Sequence, residues 1–263
     1  MSNRPPVISA LMIAKDRGHL IGPAIESILA QDGPELELLV VDDGSSDDTV
    51  QVAAALADTD PRIRVLPSRE CGIPASRNRG LAAARGEFLA ICDSDDLSRP
   101  ARFQAQIVAL RHDPRLVGVG SRFSVFQEDP AYGEVVAWRW GLRRGRGPFA
   151  FPTAMLRTES VRDVGGFDES FAIVEDLDLC YRLAARGGRF AMLPDVLVDY
   201  RVGGQGVTAG NPELYRYAAR AQLLGLRALR GRFTPAGYAA IGQSLWRATR
   251  DRYRNRFSSA TAK

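Results

Sequence analysis

Cysteine and histidine are scarce in this sequence of 263 residues. The three cysteines, Cys71, Cys92 and Cys180, are odd in number and show no C-x-x-C spacing, which disfavours both a disulfide framework and a zinc site. The two histidines, His19 and His112, offer few ways to build a histidine-based catalytic triad. We therefore expect any general base to be a carboxylate.

Sequence signals of several other protein classes are also missing. No G-x-G-x-x-G motif follows the first apolar run and no G-x-x-x-x-G-K-[ST] motif occurs, which disfavours dinucleotide dehydrogenases and P-loop NTPases. No apolar run approaches the roughly 20 residues of a membrane span. Residues 1–6 lack the apolar core of a signal peptide. Together with the cysteine usage, these absences predict a cytoplasmic protein.

The overall composition is that of an ordinary globular protein, with 45% hydrophobic and 25% charged residues. The charge is modestly basic, with a formal net charge of +4 and a pI of about 9.2. Since the arginines are not confined to one run, this excess does not predict a nucleic-acid partner.

The first 112 residues alternate between short apolar runs and amphipathic segments. This repetition of strand and helix predicts a mostly parallel sheet flanked by helices, as in Rossmann-like α/β folds. The predicted strands cover residues 7–13, 36–41, 63–66 and 88–92. The predicted helices start at Gly22-Pro23, after a capping Ser46, at Pro74 and near Arg99, and Gly86 is expected to cap the third.

Polar and mostly acidic residues follow three of these strands. They are Lys15 and Asp16 after the first strand, Asp42 and Asp43 after the second, and Asp93, Asp95 and Asp96 after the fourth. Because parallel strands bring such loops to one edge of the sheet, we expect a ligand site there. A divalent cation is the usual partner of crowded carboxylates. The alternative is a solvated acidic turn in which Asp96 or Ser98 caps the next helix.

The second half has a less regular pattern. Strands are predicted at 117–119, 123–126, 135–138, 190–193 and 196–200, and helices after Thr158, from Glu175, and over 212–230 and 235–253. Residues 139–147, rich in Arg and Gly, are interpreted either as a mobile basic linker or as a binding loop. We divide the chain into a domain of residues 1–205, with a nucleotide-binding half (1–115) and an acceptor half (116–205), and a helical extension (206–263).

The acidic residues suit a nucleoside diphosphate bound through a metal. A carboxylate can hold Mg²⁺ or Mn²⁺ against phosphate oxygens, and other carboxylates can accept hydrogen bonds from ribose hydroxyls or a base N–H. Asp95, Asp93 and Asp43 are available for these tasks. Asp176, at a predicted helix start, is available as a general base that deprotonates an incoming nucleophile.

Seven short motifs, in order, resemble those of glycosyltransferase family 2, whose members have the GT-A fold. They span roughly residues 7–201 and read SILAQ (27–31), VVDDGSS (40–46), ASRNRG (75–80), ARGE (84–87), DSDD (93–96), VGGFD (164–168) and EDLD (175–178). The resemblance implies a metal-dependent, inverting transferase with a C-terminal helical extension.

The resemblance also implies roles for individual residues. Asp43 corresponds to an acid that contacts uracil. Asp93 and Asp95 correspond to the family's D-x-D motif, in which Asp95 is the metal ligand. Asp176 corresponds to the catalytic base of its E-D motif.

Further residues are implied on the donor side. Ala14, Lys15 and Asp16 stand in the first donor-binding loop, and Arg77 matches a motif lining the donor, with helix packing as its alternative role. Asp178 and Arg182, spaced i and i+4, are expected to form a structural pair.

The sequence departs from the family pattern at three places. The first loop is usually similar to Pro-Thr-Tyr-Asn, whereas residues 13–16 read IAKD. Phe151 stands where a histidine often precedes Pro-Thr. No histidine follows Tyr200-Arg201, where one is common.

The leading hypothesis is transfer of a sugar from a nucleoside diphosphate donor, UDP-linked in most of the family, to a hydroxyl of a glycan, lipid-linked or small-molecule acceptor. The alternative is a non-catalytic nucleotide-sugar-binding or scaffolding subunit, and a nucleotidyltransferase is a distant third. The basic tail predicts either a peripheral contact with the inner face of a membrane or a solvated segment. Its arginines are Arg247, Arg250, Arg252, Arg254 and Arg256.

Overall fold

The computed structural model describes residues 6–33, 35–67, 70–136, 141–203, 211 and 213–258. Within these residues, nine strands form one sheet. The strands are β1 (Ile8–Ala14), β2 (Leu36–Asp42), β3 (Ile63–Pro67), β4 (Phe88–Asp93), β5 (Leu97–Ser98), β6 (Leu116–Phe126), β7 (Glu134–Val135), β8 (Met155–Arg157) and β9 (Arg189–Arg201). The helices are α1 (Gly18–Leu29), α2 (Thr49–Thr59), α3 (Ile73–Ala83), α4 (Arg102–His112), α5 (Thr158–Asp163), α6 (Glu175–Ala185), α7 (Leu214–Ala228) and α8 (Pro235–Ser258).

The sheet brings the predicted loops to one edge. Its order is β3-β2-β1-β4-β8-β6-β9-β5, with β7 beside β6, and the first four strands are mutually parallel. Asp42 pairs with Ala14, and Asp93 pairs with Ile13. The carboxyl ends of β1, β2 and β4 therefore lie side by side, as the sequence predicts.

The central strands are buried on both faces, which explains their continuous apolar runs. On one face, Leu38 and Val40 pack in a core with α1, α2 and α4. On the other, Leu39 and Val41 pack in a second core with α3, α5 and α6. Helices thus cover both sides of a mostly parallel sheet, and the predicted α/β fold class is confirmed.

The C-terminal helices α7 and α8 pack onto α6. A third apolar cluster joins Tyr181 of α6 to Ala221 of α7 and Ile241 of α8. Gly225 lies against Tyr181 so closely that a Cβ would sit 2.5 Å from its ring. The predicted domain boundary at residue 205 falls in 204–210, outside the described residues. Among the described residues, no helix is both long and apolar enough to cross a bilayer.

Two predicted helix starts were wrong because their capping groups come from elsewhere. Helix α1 begins at Gly18, and Pro23 lies inside it. The backbone N–H groups of Arg17 and Gly18 donate to the side chains of Thr49 and Asp47. Helix α2 begins at Thr49, and Ser46 does not cap it.

Three other boundaries also differ from prediction. Helix α4 begins at Arg102 rather than Arg99. Helix α3 ends before Ala84, and Gly86 instead lies against the backbone of β1, where a Cβ would come within 2.4 Å of the Ser9 nitrogen. The predicted strand over 135–138 is seen as the short strand β7, and residues 137–140 lie outside the described part of the chain.

Two regions of the second half are more ordered than predicted. The strands expected at 117–119 and 123–126 are one strand, β6, and those at 190–193 and 196–200 are one strand, β9. They pair along their whole length with register shifts near Ser121 and Arg122. Residues 141–147, expected to be mobile, contain a 3₁₀ helix over Leu142–Arg144. The carbonyls of Arg143 in this helix and of Gly145 after it accept hydrogen bonds from Thr234 and Gln222.

Candidate active site

A tight acidic turn follows β4. Arg102, only 1% exposed, lies beneath it and donates to the Ile91 carbonyl (2.7 Å) and the Ser98 hydroxyl (2.9 Å). The backbone N–H of Arg201 donates to Asp96 Oδ1 (2.8 Å). Asp96 and Ser98 are thus used in tertiary contacts, not in capping α4, and the alternative of a solvated acidic turn is wrong.

The negative charge of the turn is not fully balanced by the positive side chains around it. Burial raises the pKa of Asp93 to about 6, Arg77 and Arg102 oppose the rise, and Asp95 adds to it. Burial and the neighbouring Asp93 raise the pKa of Asp96 well above its usual value. Asp96 Oδ2 is buried and accepts no hydrogen bond from the described residues. The turn is therefore suited to a cation.

Asp95 lies at the open side of the turn. Its side chain is 31% exposed, and Oδ2 is 3.6 Å from Nε of Arg17 in the loop after β1. The Arg17 guanidinium also donates to the carbonyls of Lys15 and Asp16. An arginine from the first loop thus reaches the carboxylate that the sequence predicts as the metal ligand.

The first loop is held by contacts with other segments. The Ala14 carbonyl accepts from the backbone N–H of Asp43, and Lys15 forms an exposed ion pair with Glu70. Asp16 has a positive φ of 53°, and its carboxylate accepts from the backbone N–H of Ser46 (2.7 Å), which lowers the Asp16 pKa. The structure places all three predicted donor-loop residues at the sheet edge, with Asp16 tied to the loop after β2.

Asp43 is buried at the same edge, 6% exposed. Its Oδ1 accepts from the backbone N–H groups of Cys71 (2.9 Å) and Gly72 (3.1 Å) and from the Ser76 hydroxyl (2.8 Å). These bonds fix the carboxylate through one oxygen. Among the described residues, no hydrogen bond to Oδ2 accompanies them.

Arg77 of α3 lies between the two halves of the domain. Its guanidinium forms an ion pair with Glu175 at the start of α6, and both side chains are buried. The guanidinium carbon is 4.8 Å from the centre of the Phe151 ring and 5.4 Å from that of Phe167. The neighbouring Asn78 bonds both backbone polar groups of Phe167, which is a packing role.

Asp176 is the second residue of α6. Glu175 begins the helix directly after Val174, whose φ is +60°. Its Oδ1 accepts from the backbone N–H of Leu177 (2.8 Å). Burial raises the pKa of Asp176, and Arg77 opposes the rise. Asp176 is also near enough to Asp93 to raise the pKa of that carboxyl. The structure thus brings the predicted base and the predicted metal-binding turn to one place.

Residues 9–165 match the family model described as Glycosyl transferase family 2. The chain belongs to glycosyltransferase family 2. It is 32% identical over 221 residues to the succinoglycan biosynthesis protein ExoO of Rhizobium meliloti, covering 76% of this chain and 62% of ExoO. The chain therefore spans less than two thirds of the length of that relative.

Two solved structures show the same fold as this family 2 chain. The crystal structure of S. aureus TarS 1–349 in complex with UDP-GlcNAc covers 91% of this chain and 72% of that chain, with a TM-score of 0.70 and 18% identity. The mannosyltransferase PcManGT from Pyrobaculum calidifontis, in complex with GDP-Man and Mn²⁺, covers 98% and 76%, with a TM-score of 0.62 and 22% identity. The chain therefore has the GT-A fold.

The carboxylates of this family 2 site fit a divalent cation. The oxygen-only donor set of Asp93 and Asp95, the raised pKa of Asp93 and the unbonded Asp96 oxygen all favour a hard cation. Within the described residues, no three His, Cys, Asp or Glu side chains form a ready-made metal cage. Protein sites for Mg²⁺ commonly use one or two carboxylates, and substrate phosphates complete the shell.

The arginines of the site were not identified as a group from the sequence. Arg17 and Arg102 were not singled out, and the Arg77–Glu175 pair joins residues 98 positions apart. Neither arginine carried a local signal, because their partners come from other elements. The predicted i, i+4 pair of Asp178 and Arg182 is confirmed at 2.7 Å.

Proposed function

We propose that this protein transfers one sugar from a nucleoside diphosphate sugar, UDP-linked, to an acceptor hydroxyl with inversion of the anomeric carbon. The observation that carries the proposal is the meeting of Asp176 with the Asp93–Asp96 turn around Arg77. A metal-binding carboxylate turn and a separate base in one cleft are what a single displacement requires.

The donor side is proposed to use Asp43, Asp93 and Asp95. The free Oδ2 of Asp43 would accept a base N–H, and Asp93 would accept from ribose hydroxyls. Asp95, with help from Asp93, would hold Mn²⁺ or Mg²⁺, which when bound neutralises charge on the departing diphosphate. Ala14, Lys15 and Asp16 would form the wall beside the base. The PcManGT structure, which is in complex with GDP-Man and Mn²⁺, supports a metal and a nucleotide sugar as ligands of this chain.

The acceptor side is proposed to use Asp176 as general base. The acceptor oxygen bonds to the anomeric carbon while the bond from that carbon to the diphosphate oxygen breaks. Asp176 takes the proton of the acceptor hydroxyl, so charge and atoms balance. Attack from the side opposite the leaving group inverts the anomeric centre. The positive charge of Arg77 opposes the rise in the Asp176 pKa that burial causes.

A nucleotide-sugar panel tests the proposal. UDP-glucose, UDP-galactose, UDP-N-acetylglucosamine and GDP-mannose would be assayed for thermal stabilisation and slow hydrolysis, each with Mn²⁺, with Mg²⁺ and with EDTA. We expect one UDP-linked donor to stabilise and to be hydrolysed only with metal. Failure of every donor would contradict the proposal, and selection of GDP-mannose would replace UDP by GDP.

We further propose that the acceptor is a growing glycan, lipid-linked, met at the inner face of the cytoplasmic membrane. The relative named for succinoglycan biosynthesis supports a polysaccharide product. Helix α8 carries Trp246, 61% exposed, next to Arg247, whose guanidinium lies 4.8 Å from the Tyr215 ring centre. The side chains of the remaining tail arginines lie outside the described residues.

Vesicle flotation tests the membrane contact. Each arginine near an anionic surface contributes about 1 kcal/mol, so the wild type should float with phosphatidylserine vesicles and not with phosphatidylcholine alone. Replacing the five tail arginines with glutamine should abolish flotation. Equal flotation of both proteins would reject the tail as the contact. The replaced residues are Arg247, Arg250, Arg252, Arg254 and Arg256.

A further inference from the structure

One buried arginine at the start of α4 is hydrogen-bonded to the chain on both sides of the acidic turn. The guanidinium of Arg102 donates to the carbonyl of Ile91 (2.7 Å) and to the hydroxyl of Ser98 (2.9 Å). Ile91 lies two residues before Asp93 in the sequence. Ser98 lies two residues after Asp96. Because the guanidinium is rigid and planar, it fixes the two ends of the turn relative to each other.

The same guanidinium also holds the segment that leads into β8. It donates to the carbonyl of Pro152 (2.9 Å). Gln106, one turn further along α4, accepts from Nε of Arg102 (3.4 Å) and donates to the carbonyl of Thr153 (2.7 Å). Arg102 and Gln106 are 1% and 0% exposed, so these donors are used inside the protein and not on water. The acidic turn is thereby fixed to the second half of the domain as well.

The contacts of the turn hold its backbone and leave the carboxylates of the proposed metal site to a cation. From β9, Arg201 donates its backbone N–H to Asp96 Oδ1 (2.8 Å) and its Nε to the carbonyl of Asp95 (3.1 Å). The ion pair that the Asp95 carboxylate makes is with Arg17, and not with either of the arginines that hold the turn. The turn is therefore positioned without neutralising its ligand oxygens.

Groups that orient metal ligands from outside the coordination shell affect metal affinity strongly. Their loss typically weakens binding by about 10- to 100-fold. A ligand on a turn depends on such support, because its oxygen moves with the backbone that carries it. Arg102 gives this support through the two flanks of the turn.

We propose that Arg102 is a positioning residue for the metal on the donor side: by binding both flanks of the acidic turn, it holds the carboxylates of Asp93 and Asp95 in the arrangement that a divalent cation needs. This rests on the proposed role of these two carboxylates in holding the metal. The guanidinium of Arg102 is buried and bonded to the turn, so it acts through the turn and not on the nucleotide donor.

The test compares Arg102→Lys and Ser98→Ala with the control Arg157→Lys. Arg157 also donates to two backbone carbonyls, those of Leu116 (2.8 Å) and Leu110 (2.6 Å), but it pairs with Phe88 at the opposite end of β4 from the acidic turn. The readouts are Mn²⁺ binding in the presence of UDP by electron paramagnetic resonance, the dependence of turnover on Mn²⁺ concentration, and the melting temperature.

Arg102→Lys separates geometry from charge, because lysine keeps the positive charge but not the planar fork of donors. We expect its Mn²⁺ affinity to fall by roughly 10- to 100-fold. Raising the Mn²⁺ concentration should restore kcat, since the carboxylates are still present.

Ser98→Ala removes one of the bonds from Arg102 to the turn and tests the proposal even where the lysine variant does not fold. It should weaken Mn²⁺ binding by roughly 2- to 10-fold, the effect of losing one hydrogen bond. Arg157→Lys should lower the melting temperature and keep the Mn²⁺ affinity within about twofold of wild type, because distant sites act independently.

Three results would overturn the proposal. Unchanged Mn²⁺ affinity in both Arg102→Lys and Ser98→Ala, with a lower melting temperature, would leave Arg102 only a packing role. An equal loss of Mn²⁺ affinity in Arg157→Lys would show a general effect of destabilisation. A loss of kcat that saturating Mn²⁺ does not restore would show that Arg102 acts on something other than the metal. A wild-type protein that binds no Mn²⁺ with UDP would instead refute the proposed metal site, and this inference with it.

Discussion

The two acidic pairs of the site, Asp93–Asp95 and Glu175–Asp176, differ in how their charge is balanced. The second pair has a buried cation built into the fold, because Arg77 contacts Glu175 directly. Among the described residues, the first pair forms no ion pair with a buried cation: the Asp95 carboxylate lies 3.6 Å from Nε of Arg17, which is partly exposed, and the buried Arg102 donates to the Ile91 carbonyl and the Ser98 hydroxyl. An oxygen of the adjoining Asp96 is buried without a hydrogen bond.

This difference indicates which half of the site has its negative charge balanced by the protein alone. The ion pair with Arg77 holds Glu175, the residue before the proposed base Asp176, so this half of the site is preorganised in the protein alone. The Asp93–Asp95 pair remains short of positive charge until a cation and a diphosphate bind. Substituting a residue of either pair, or a charged neighbour, tests this difference.

Asp176→Asn should have the largest effect on rate. Asparagine keeps the size and the hydrogen bond to the Leu177 backbone but cannot accept a proton, so kcat should fall by a factor on the order of 10²–10⁴. Steady-state kinetics with the selected donor measures it, and UDP affinity should stay near wild type.

Glu175→Gln is the matched control for that prediction. Glu175 is buried against Arg77 and should not take the acceptor proton, so its variant should lose less turnover than Asp176→Asn. If Asp176→Asn kept near-normal transfer while Glu175→Gln abolished it, the base would be the preceding residue. If both kept transfer, neither acid would be the base.

Asp95→Ala should remove the metal from the donor side. Even outer-shell partners of metal ligands change metal affinity by 10–100-fold, so loss of a ligand should weaken Mn²⁺ binding by at least about 100-fold. Electron paramagnetic resonance of Mn²⁺ in the presence of UDP measures bound against free metal. Because Asp95 lies on a partly exposed turn, the melting temperature should hardly change. Undiminished Mn²⁺ binding would exclude Asp95 as a ligand.

Asp93→Asn should stabilise the protein at neutral pH. The folded state raises the Asp93 pKa from 3.8 to about 6, so it binds the proton more strongly than the unfolded state, and stability falls as pH rises through this interval. Asparagine should raise the free energy of unfolding by roughly 1–3 kcal/mol at pH 7, and the gain should vanish by pH 4.

Urea unfolding at pH 7 and pH 4 measures this effect, and a further measurement at pH 2 serves the control. Asp113→Asn is the control with the opposite sign, because hydrogen bonds from Arg115 lower the Asp113 pKa. It should destabilise at pH 7 and not at pH 2. Lower stability of Asp93→Asn at pH 7 would show that the turn is not short of positive charge.

Arg17→Gln should have the smallest effect. Partly exposed ion pairs at this distance contribute about 0–1 kcal/mol, so relieving the arginine's repulsion should strengthen Mn²⁺ binding to Asp95 by no more than about fivefold. The same resonance assay measures it. A large loss of Mn²⁺ or UDP binding would mean that Arg17 itself takes part in donor binding.

The first four strands could be predicted closely from sequence because the signal is local. Each is buried on both faces, so a continuous apolar run marks it, and its end is marked by polar residues. The sequence could not show that β6 continues through Ser121 and Arg122, because its continuity depends on pairing with β9 about 70 positions later.

The acidic residues of the site could also be identified from sequence motifs. The cations that balance their charge could not be identified in this way. Asp43, Asp95 and Asp176 lie at the sheet edge or beside it, as predicted. The partners that set their state, Arg17 and Arg77, come from other elements of the fold. For the same reason the start of α1 was misplaced, since its capping groups belong to the loop before α2.

The most direct test is calorimetric titration of UDP into wild type and Asp176→Asn, each with Mn²⁺ and with EDTA. The account predicts that UDP binds both proteins equally and that EDTA weakens both by the same large factor, because the metal-dependent donor side and the preorganised base are separate. Equal UDP affinity with and without metal, or loss of UDP binding in Asp176→Asn, would contradict it.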